Sequence, residues 1–236
     1  PSSTQERVAV PSYFNPGDPG WAQMEQDAST SSLAIINPNS GPGTSRDQNY
    51  ADQVTQVEKA GIIVIGYIST SYAGTQDHTR TLTAVEQDVN NYYNWYPNIE
   101  GIFVDEVSTD CGKSYSSYYK PLYDYIKHKG GIAKVVLDPG TDTSECYISA
   151  GDIIVNFENQ YSNYVTWFPV PWETTYPANR FWQIVIGTSQ ANMPQAVTLS
   201  KSRNAGWVYI TDQGGDNPFA ALPSYWSNEL LLVNPS

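Results

Sequence analysis

The feature that most narrows the folds open to this chain is a repeat of short apolar runs, each closing on a polar or turn-forming residue. They fall at 7–14, 33–37, 62–68, 101–108, 133–138, 151–158, 181–187 and 206–212. Stretches with helical spacing of apolar side chains lie between most of them, at 21–28, 49–60, 81–95 and 115–128, and follow the last two at 190–202 and 218–232. In 49–60, Tyr50, Val54 and Val57 share one face and Gly61 ends the pattern. The run Ile62-Ile-Val-Ile-Gly-Tyr-Ile68 shows no apolar/polar alternation, which marks a strand covered on both faces in a parallel sheet. Eight such strands alternating with helices at roughly 25 to 35 residue spacing predict one closed (β/α)8 barrel, an α/β fold of the TIM type, whose usual length is about 250 residues. The 236 residues are therefore read as a single domain, with a disordered or linker-like polar tail at 1–6.

Charge and motif content exclude whole classes of function. Lys and Arg total 12 against 24 Asp and Glu, a net charge of -12, and no basic stripe is present. Nucleic acid and anionic membrane surfaces would be repelled, so neither is expected as a partner. No apolar stretch approaches the roughly 20 residues of a membrane-spanning helix. Gly41-Pro42-Gly43 lacks the Lys of a phosphate loop, and neither a dinucleotide fingerprint nor a Gly-x-Ser-x-Gly elbow occurs. No cofactor and no metal are expected, and a monomer is the default. A Lys-poor, Tyr-, Asn- and Ser-rich composition suits a secreted protein.

Cys111 and Cys146 are open to three readings: a disulfide, a metal pair or two unrelated core thiols. His78 and His128 lie near neither in sequence. In a barrel both cysteines fall in loops on one face, after neighbouring strands four and five, and a disulfide is predicted.

Function in such a barrel belongs at the carboxyl ends of the strands. Those ends offer Tyr13, Asn37 and Asn39, Tyr67 and Tyr72, Asp105 and Glu106, Asp138, Asn156 and Glu158, Gln183, and Asp212. The stretch Gly101-Ile-Phe-Val-Asp-Glu106 is the most telling, because an apolar strand that ends in two acids must compensate their burial, and cations are scarce. Carboxylates, amides and aromatics are the inventory of glycoside hydrolysis, in which one carboxyl protonates the leaving oxygen and another attacks or activates water. Trp167, Trp172 and Tyr176 are candidates for a sugar-stacking platform, although core packing is the commoner role of any one aromatic. Asn37 and Asn39, beside Pro and Gly, are turn formers first and hydroxyl ligands second. Alternation leaves open which of Asp105 and Glu106 faces the lumen.

The motifs Asn37-Pro-Asn-Ser-Gly-Pro-Gly43, Gly101-Ile-Phe-Val-Asp-Glu106, Asp138-Pro-Gly-Thr141 and Asn156-Phe-Glu-Asn159 resemble those of the spherulin, or spherulation-specific, proteins of glycoside hydrolase family 135. The resemblance implies a secreted, endo-acting (β/α)8 hydrolase of α-1,4-linked N-acetylgalactosamine in galactosaminogalactan, a biofilm exopolysaccharide, with catalytic acids at Asp105, Glu106 and Glu158. By analogy with other barrel enzymes acting on α-glycosides, Asp105 is assigned as nucleophile, Glu158 as acid/base and Glu106 as a tuning or orienting group. Two other readings share the groove: a hydrolase of another amino-sugar polymer such as poly-N-acetylglucosamine, and a carbohydrate-binding barrel without chemistry.

Overall fold

A computed structural model describes residues 5–235. The polar tail assigned to 1–6 falls largely outside the described residues, and Glu6 departs from it, its side chain being only 4% exposed.

The strands are β1 (Arg7–Val10), β2 (Ser31–Ile36), β3 (Ile63–Ser69), β4 (Gly101–Asp105), β5 (Lys134–Asp138), β6 (Ile153–Gln160), β7 (Phe181–Ile186) and β8 (Trp207–Ile210). They close into a barrel in sequence order, every neighbour parallel, with Arg7 opposite Trp207 across the β1–β8 seam. The unbroken apolar runs are explained by double coverage: all six residues of β2 are buried between the lumen and the helical ring. Gly101 opens β4 where a Cβ would come within 2.1 Å of the Lys134 carbonyl oxygen, so only glycine fits that strand contact.

The helices are α1 (Pro19–Gln26), α2 (Gln48–Lys59), α3 (Leu82–Trp95), α4 (Lys120–Lys127), α5 (Tyr161–Tyr164), α6 (Met193–Ser202) and α7 (Trp226–Val233). Asp47 caps α2 by accepting from the Asn49 amide (2.8 Å), and Thr81 caps α3 by accepting from Ala84 (3.2 Å). Two departures from the sequence reading, at 115–128 and at the last helix, have local causes. The segment 115–128 opens with a π turn, Tyr115–Tyr119, before α4, which carries Pro121 in its first turn. After β6 the chain makes only single turns, α5, Pro171–Thr175 and Ala178–Arg180, because Pro169, Pro171 and Pro177 interrupt any longer helix. Pro218 and Pro223 likewise delay the last helix to Trp226.

Cys111 and Cys146 are bonded, with Cα atoms 5.9 Å apart, joining the loop after β4 to the turn after β5. The bridge closes a 35-residue separation. On the chain-entropy account its removal in a Cys111→Ser/Cys146→Ser double variant costs about 3 to 4 kcal/mol, readable from chemical denaturation under non-reducing conditions.

Outside the lumen, Glu6 and Glu229 are buried among β1, β8 and the closing helices. Glu229 is fully buried and accepts one bond from the Ile210 amide (2.9 Å). Burial pushes the Glu6 carboxyl up to about 7, against smaller opposing pulls from Ser200 and Lys201. The folded protein keeps this proton, whereas the unfolded chain loses it near 4.5. The contribution of Glu6 to stability is therefore full below that pH, declines as pH rises towards 7, and is constant above. Glu6→Gln removes this part of the pH dependence and raises stability above pH 7 by up to about 3 kcal/mol relative to the wild type, measured by urea denaturation across the pH range.

Candidate active site

The carboxyl ends of the strands surround a cavity of about 580 Å³, lined by Tyr13, Asn37, Asn39, Tyr67, Asp105, Asp138 and Glu158 together with loop residues around Asp216 and Phe219. Its floor is aromatic. Phe103 lies stacked beside Tyr67 (6.2 Å between centroids) and edge-on to Trp182 (5.8 Å). Because side chains alternate along a strand, inward Phe103 brings Asp105 inward one step higher on β4. Asp138 stands opposite Asp105 in the β4–β5 register and enters the same space.

Glu158 reaches that space only through a break in alternation. Val155 pairs with Trp182 and Phe157 with Gln183, so Asn156 is an extra residue in a bulge. Regular alternation from Val155 would send Glu158 outward; the bulge brings it in beside Ile184. The cost of the bulge is offset by a fully buried bond from Asn156 Nδ2 to Glu173 Oε2 (2.8 Å). Glu173, absent from the sequence reading, is itself buried, which pushes its carboxyl up to about 7.

Asp105 and Glu106 part company at the end of β4. Asp105 accepts from the Tyr67 hydroxyl on Oδ2 (2.6 Å) and from the Glu106 amide on Oδ1 (2.6 Å), a pair of donors suited to the ionised form. Glu106 has φ 56, and its carboxylate turns onto the loop after β3, where Oε2 accepts from the Ser69 hydroxyl and the Ser71 amide (3.1 Å). That loop is a left-handed turn, Ser71–Gly74, with φ 47, 53 and 61 at Ser71, Tyr72 and Ala73. Such a conformation costs about 1 to 2 kcal/mol per non-glycine residue. Glu106 holds it from both ends of its own structure: besides the carboxylate contacts, its carbonyl accepts from the Tyr72 amide (2.8 Å), Thr70 Oγ1 (3.0 Å) and the Tyr119 hydroxyl (3.2 Å). The π turn is what presents Tyr119 to this point, and Tyr119 also lies 2.9 Å from Thr70 Oγ1.

Of the other expected contacts, Tyr13, Asn37, Asn39, Tyr67 and Asp138 line the cavity. Asn37 also serves its turn, accepting from the Gly41 amide (2.9 Å). Tyr72 sits on the left-handed turn beside the cavity without lining it. Four placements are corrected. Asn156 is the buried bulge residue. Gln183 is fully buried on the outer side of β7, accepting from Tyr164 and donating to the Arg203 carbonyl (3.1 Å). Trp172 packs on Tyr176 and Phe181 and donates to the Thr143 carbonyl (3.2 Å); Trp167 donates to Asp142 (3.0 Å), so neither indole, nor Tyr176, offers a face to the cavity. Asp212 ties down the loop after β8 by accepting from the Ser224 amide (3.1 Å) and hydroxyl. In its place that loop supplies Asp216, Asn217 and Phe219, whose ring meets Tyr13 edge-on at 5.6 Å. The run Gly214-Gly-Asp-Asn-Pro218 was the available signal, a long turn-forming loop on the active face.

Among the described residues no Lys, Arg or His lines the cavity. Arg80, behind β3, is bound to the Ser69 carbonyl (2.7 Å) and Asp88 (2.7 Å). Burial pushes Asp105 up to about 6, the Tyr67 bond pulling down and the Glu158 charge pushing up. Asp138, more deeply buried and facing both other acids, is held well above the ordinary carboxylate range. Among the described residues no group of three or more His, Cys, Asp or Glu is placed to hold a metal ion. The arrangement combines an ionisable carboxylate that has two donors with two further acids, one of them proton-retaining, around a roomy polar cavity, the requirement for acid–base-assisted displacement at an acetal carbon.

Comparison with known proteins agrees with this architecture. The family model for spherulation-specific family 4 matches residues 7–233. The chain is 34% identical over 245 residues to Spherulin-4 of Physarum polycephalum, covering 99% of this chain and 71% of that protein. The fold is shared with Aspergillus clavatus Sph3, solved in complex with GalNAc, at a TM-score of 0.84 and 24% identity, covering 97% of each chain. Alpha-galactosidase I from Mortierella vinacea shares the barrel more distantly, with a TM-score of 0.60 at 9% identity over 98% of this chain and 71% of that one.

The Tyr67 hydroxyl is the side-chain contact whose removal should act most directly on Asp105. A hydrogen bond to a charged group contributes about 1.5 kcal/mol or more, so Tyr67→Phe raises the Asp105 pKa by about one pH unit. Carbon-13 NMR titration of the aspartate carboxyls reads this shift; an unchanged Asp105 would show that the bond is not made in solution.

Proposed function

This chain belongs to the spherulation-specific family 4, and we propose that it is a secreted, endo-acting glycoside hydrolase that cleaves α-1,4-linked N-acetylgalactosamine chains of the galactosaminogalactan type with retention of configuration. The observation that carries the reading is the convergence of Asp105 and Glu158 on one cavity that holds no cation. The GalNAc held by the Sph3 structure supports the choice of sugar. The disulfide supports an extracellular setting.

The chemistry follows from the sugar. In an α-linked 2-acetamido sugar the acetamido group lies on the same side as the leaving oxygen, so it cannot attack from the opposite face and the protein must supply the nucleophile. An Asp105 oxygen bonds to the anomeric carbon as the glycosidic bond breaks, and the proton of Glu158 passes to the leaving oxygen. Water then attacks the same carbon, gives its proton to Glu158 and releases Asp105 as carboxylate. Glu106 acts through position, because its carboxylate is engaged with Ser69 and Ser71. Asn37, Asn39 and Asp216 are placed to meet hydroxyls or amides along the chain, with Tyr13 and Phe219 as apolar walls.

Asp105→Asn abolishes turnover of a galactosaminogalactan fragment while binding is retained, since the amide keeps the shape without the nucleophile. Glu158→Gln loses about 10² to 10⁴ in rate, and less on a substrate whose leaving group needs no protonation. NMR of the first product formed, showing the α anomer, supports retention. Near wild-type turnover in either variant removes that residue from the mechanism; a β product makes the reaction an inversion.

A further inference from the structure

We propose that Asp138 and Glu158 share a single proton and work as one acid–base unit, with Asp138 as the positioning residue that keeps the proton beside Glu158. This rests on the hydrolase reading for its role in turnover, though not for the existence of the pair. The two side chains are brought together by the turn that follows β5. The Glu158 amide donates to the Gly140 carbonyl (2.9 Å), and Gly140, at φ +65, leaves room where a Cβ would lie 3.6 Å from both Asp138 Oδ1 and Glu158 Cβ. Both carboxyls line the same cavity from the adjacent strands β5 and β6.

Donor supply decides where the proton sits. Asp105 has a donor on each oxygen. Asp138 is 4% exposed and its Oδ1 has no partner. The titratable groups facing it are Asp105 from β4, Glu158 from β6, Tyr67 from β3, and Tyr13 and Tyr72 from the loops, none of them a cation. A buried carboxylate with one oxygen unpartnered and no cation nearby is strongly disfavoured, a backbone bond from Gly140 offsetting only part of the cost, and a proton held between two adjacent carboxyls relieves it. High retention of that proton on Asp138 has the same origin.

The pair explains how charge stays balanced through the cycle. When the shared proton leaves with the departing sugar, the pair gains one negative charge as Asp105 loses its own by becoming an ester. When water attacks, its proton returns to the pair as Asp105 regains its charge. The net charge of the cavity is the same at each stage, which a cation-free site requires.

The test is the pH dependence of Asp138→Asn, an isosteric change that removes one acid from the pair. Without the neighbouring charge Glu158 gives up its proton more readily, so the alkaline limb of kcat moves to lower pH by about one pH unit while KM changes less than about twofold. An unmoved alkaline limb, or a loss confined to KM, overturns the proposal and makes Asp138 a sugar ligand. Independently, carbon-13 NMR titration of the substrate-free protein should show one carboxyl of the pair protonated above the ordinary range, and Glu158→Gln should lower the titration of Asp138. If both carboxyls titrate normally in the wild-type protein the pair is excluded, even where the polymer is cleaved. A raised titration in a protein that cleaves neither galactosaminogalactan nor poly-N-acetylglucosamine upholds the pair and overturns the hydrolase reading. The NMR measurement on Glu158→Gln stands if Asp138→Asn does not fold.

Discussion

Three carboxyl groups held in one cavity without a cation set the terms for the upper face of this barrel. Asp105, Asp138 and Glu158 end neighbouring strands, and the residues lining the cavity include no Lys, Arg or His. Charge so placed must be relieved by donors or by protons. Asp105 takes a donor on each oxygen, from Tyr67 and the Glu106 amide, whereas Asp138 has one oxygen unpartnered and holds its proton well above the ordinary carboxylate range. The separation of roles, one acid ionised and another protonated at the same pH, thus comes from the local supply of hydrogen-bond donors rather than from residue type. The same separation is the working requirement for cleaving a glycosidic bond.

That arrangement depends on backbone irregularities concentrated at one end of the fold. The bulge at Asn156 aims Glu158 inward, the positive φ at Glu106 takes its carboxylate away from the lumen, and the left-handed turn Ser71–Gly74 receives it. Each is unfavourable by itself and is held by specific partners: Glu173 under the bulge, and Thr70, Tyr119 and the Glu106 carbonyl around the turn. The lower part of the barrel has no such feature at β3–β5, where the register runs without a shift. Strain at the catalytic end over regular pairing of β3 to β5 beneath it is the division expected when a rigid scaffold presents a site.

Acids away from the cavity follow the same electrostatic logic with a different outcome. Glu6, Glu173 and Glu229 are buried with few or no cationic partners, and burial raises all three. Ionisation of each works against the folded state as pH rises. The fold and the proposed chemistry are both favoured on the acidic side of neutral, since an acid–base pair must hold its proton for turnover.

The eight strands and their order were legible in the sequence, as was the face that carries the candidate cavity, because period and run length are local properties that a strand covered on both sides imposes on its own residues. So were Asp105, as the acid ending an unbroken apolar strand, and the pairing of Cys111 with Cys146, as loops of adjacent strands. The barrel alone decided the rest. Asn156 and Glu158, two residues apart, looked like neighbours on one face; only the pairing of β6 with β7, and the partner Glu173 farther along the chain, showed the bulge that separates them. Gln183, Trp172 and Asp212 were polar or aromatic residues near strand ends, indistinguishable in sequence from ligands, yet their hydrogen bonds are spent on Tyr164 and Arg203, on Thr143 and on Ser224. Alternation tells which residues share a face, but a bulge, a left-handed turn or a buried partner is fixed by contacts between segments distant in the chain, and those exist only once the barrel has closed.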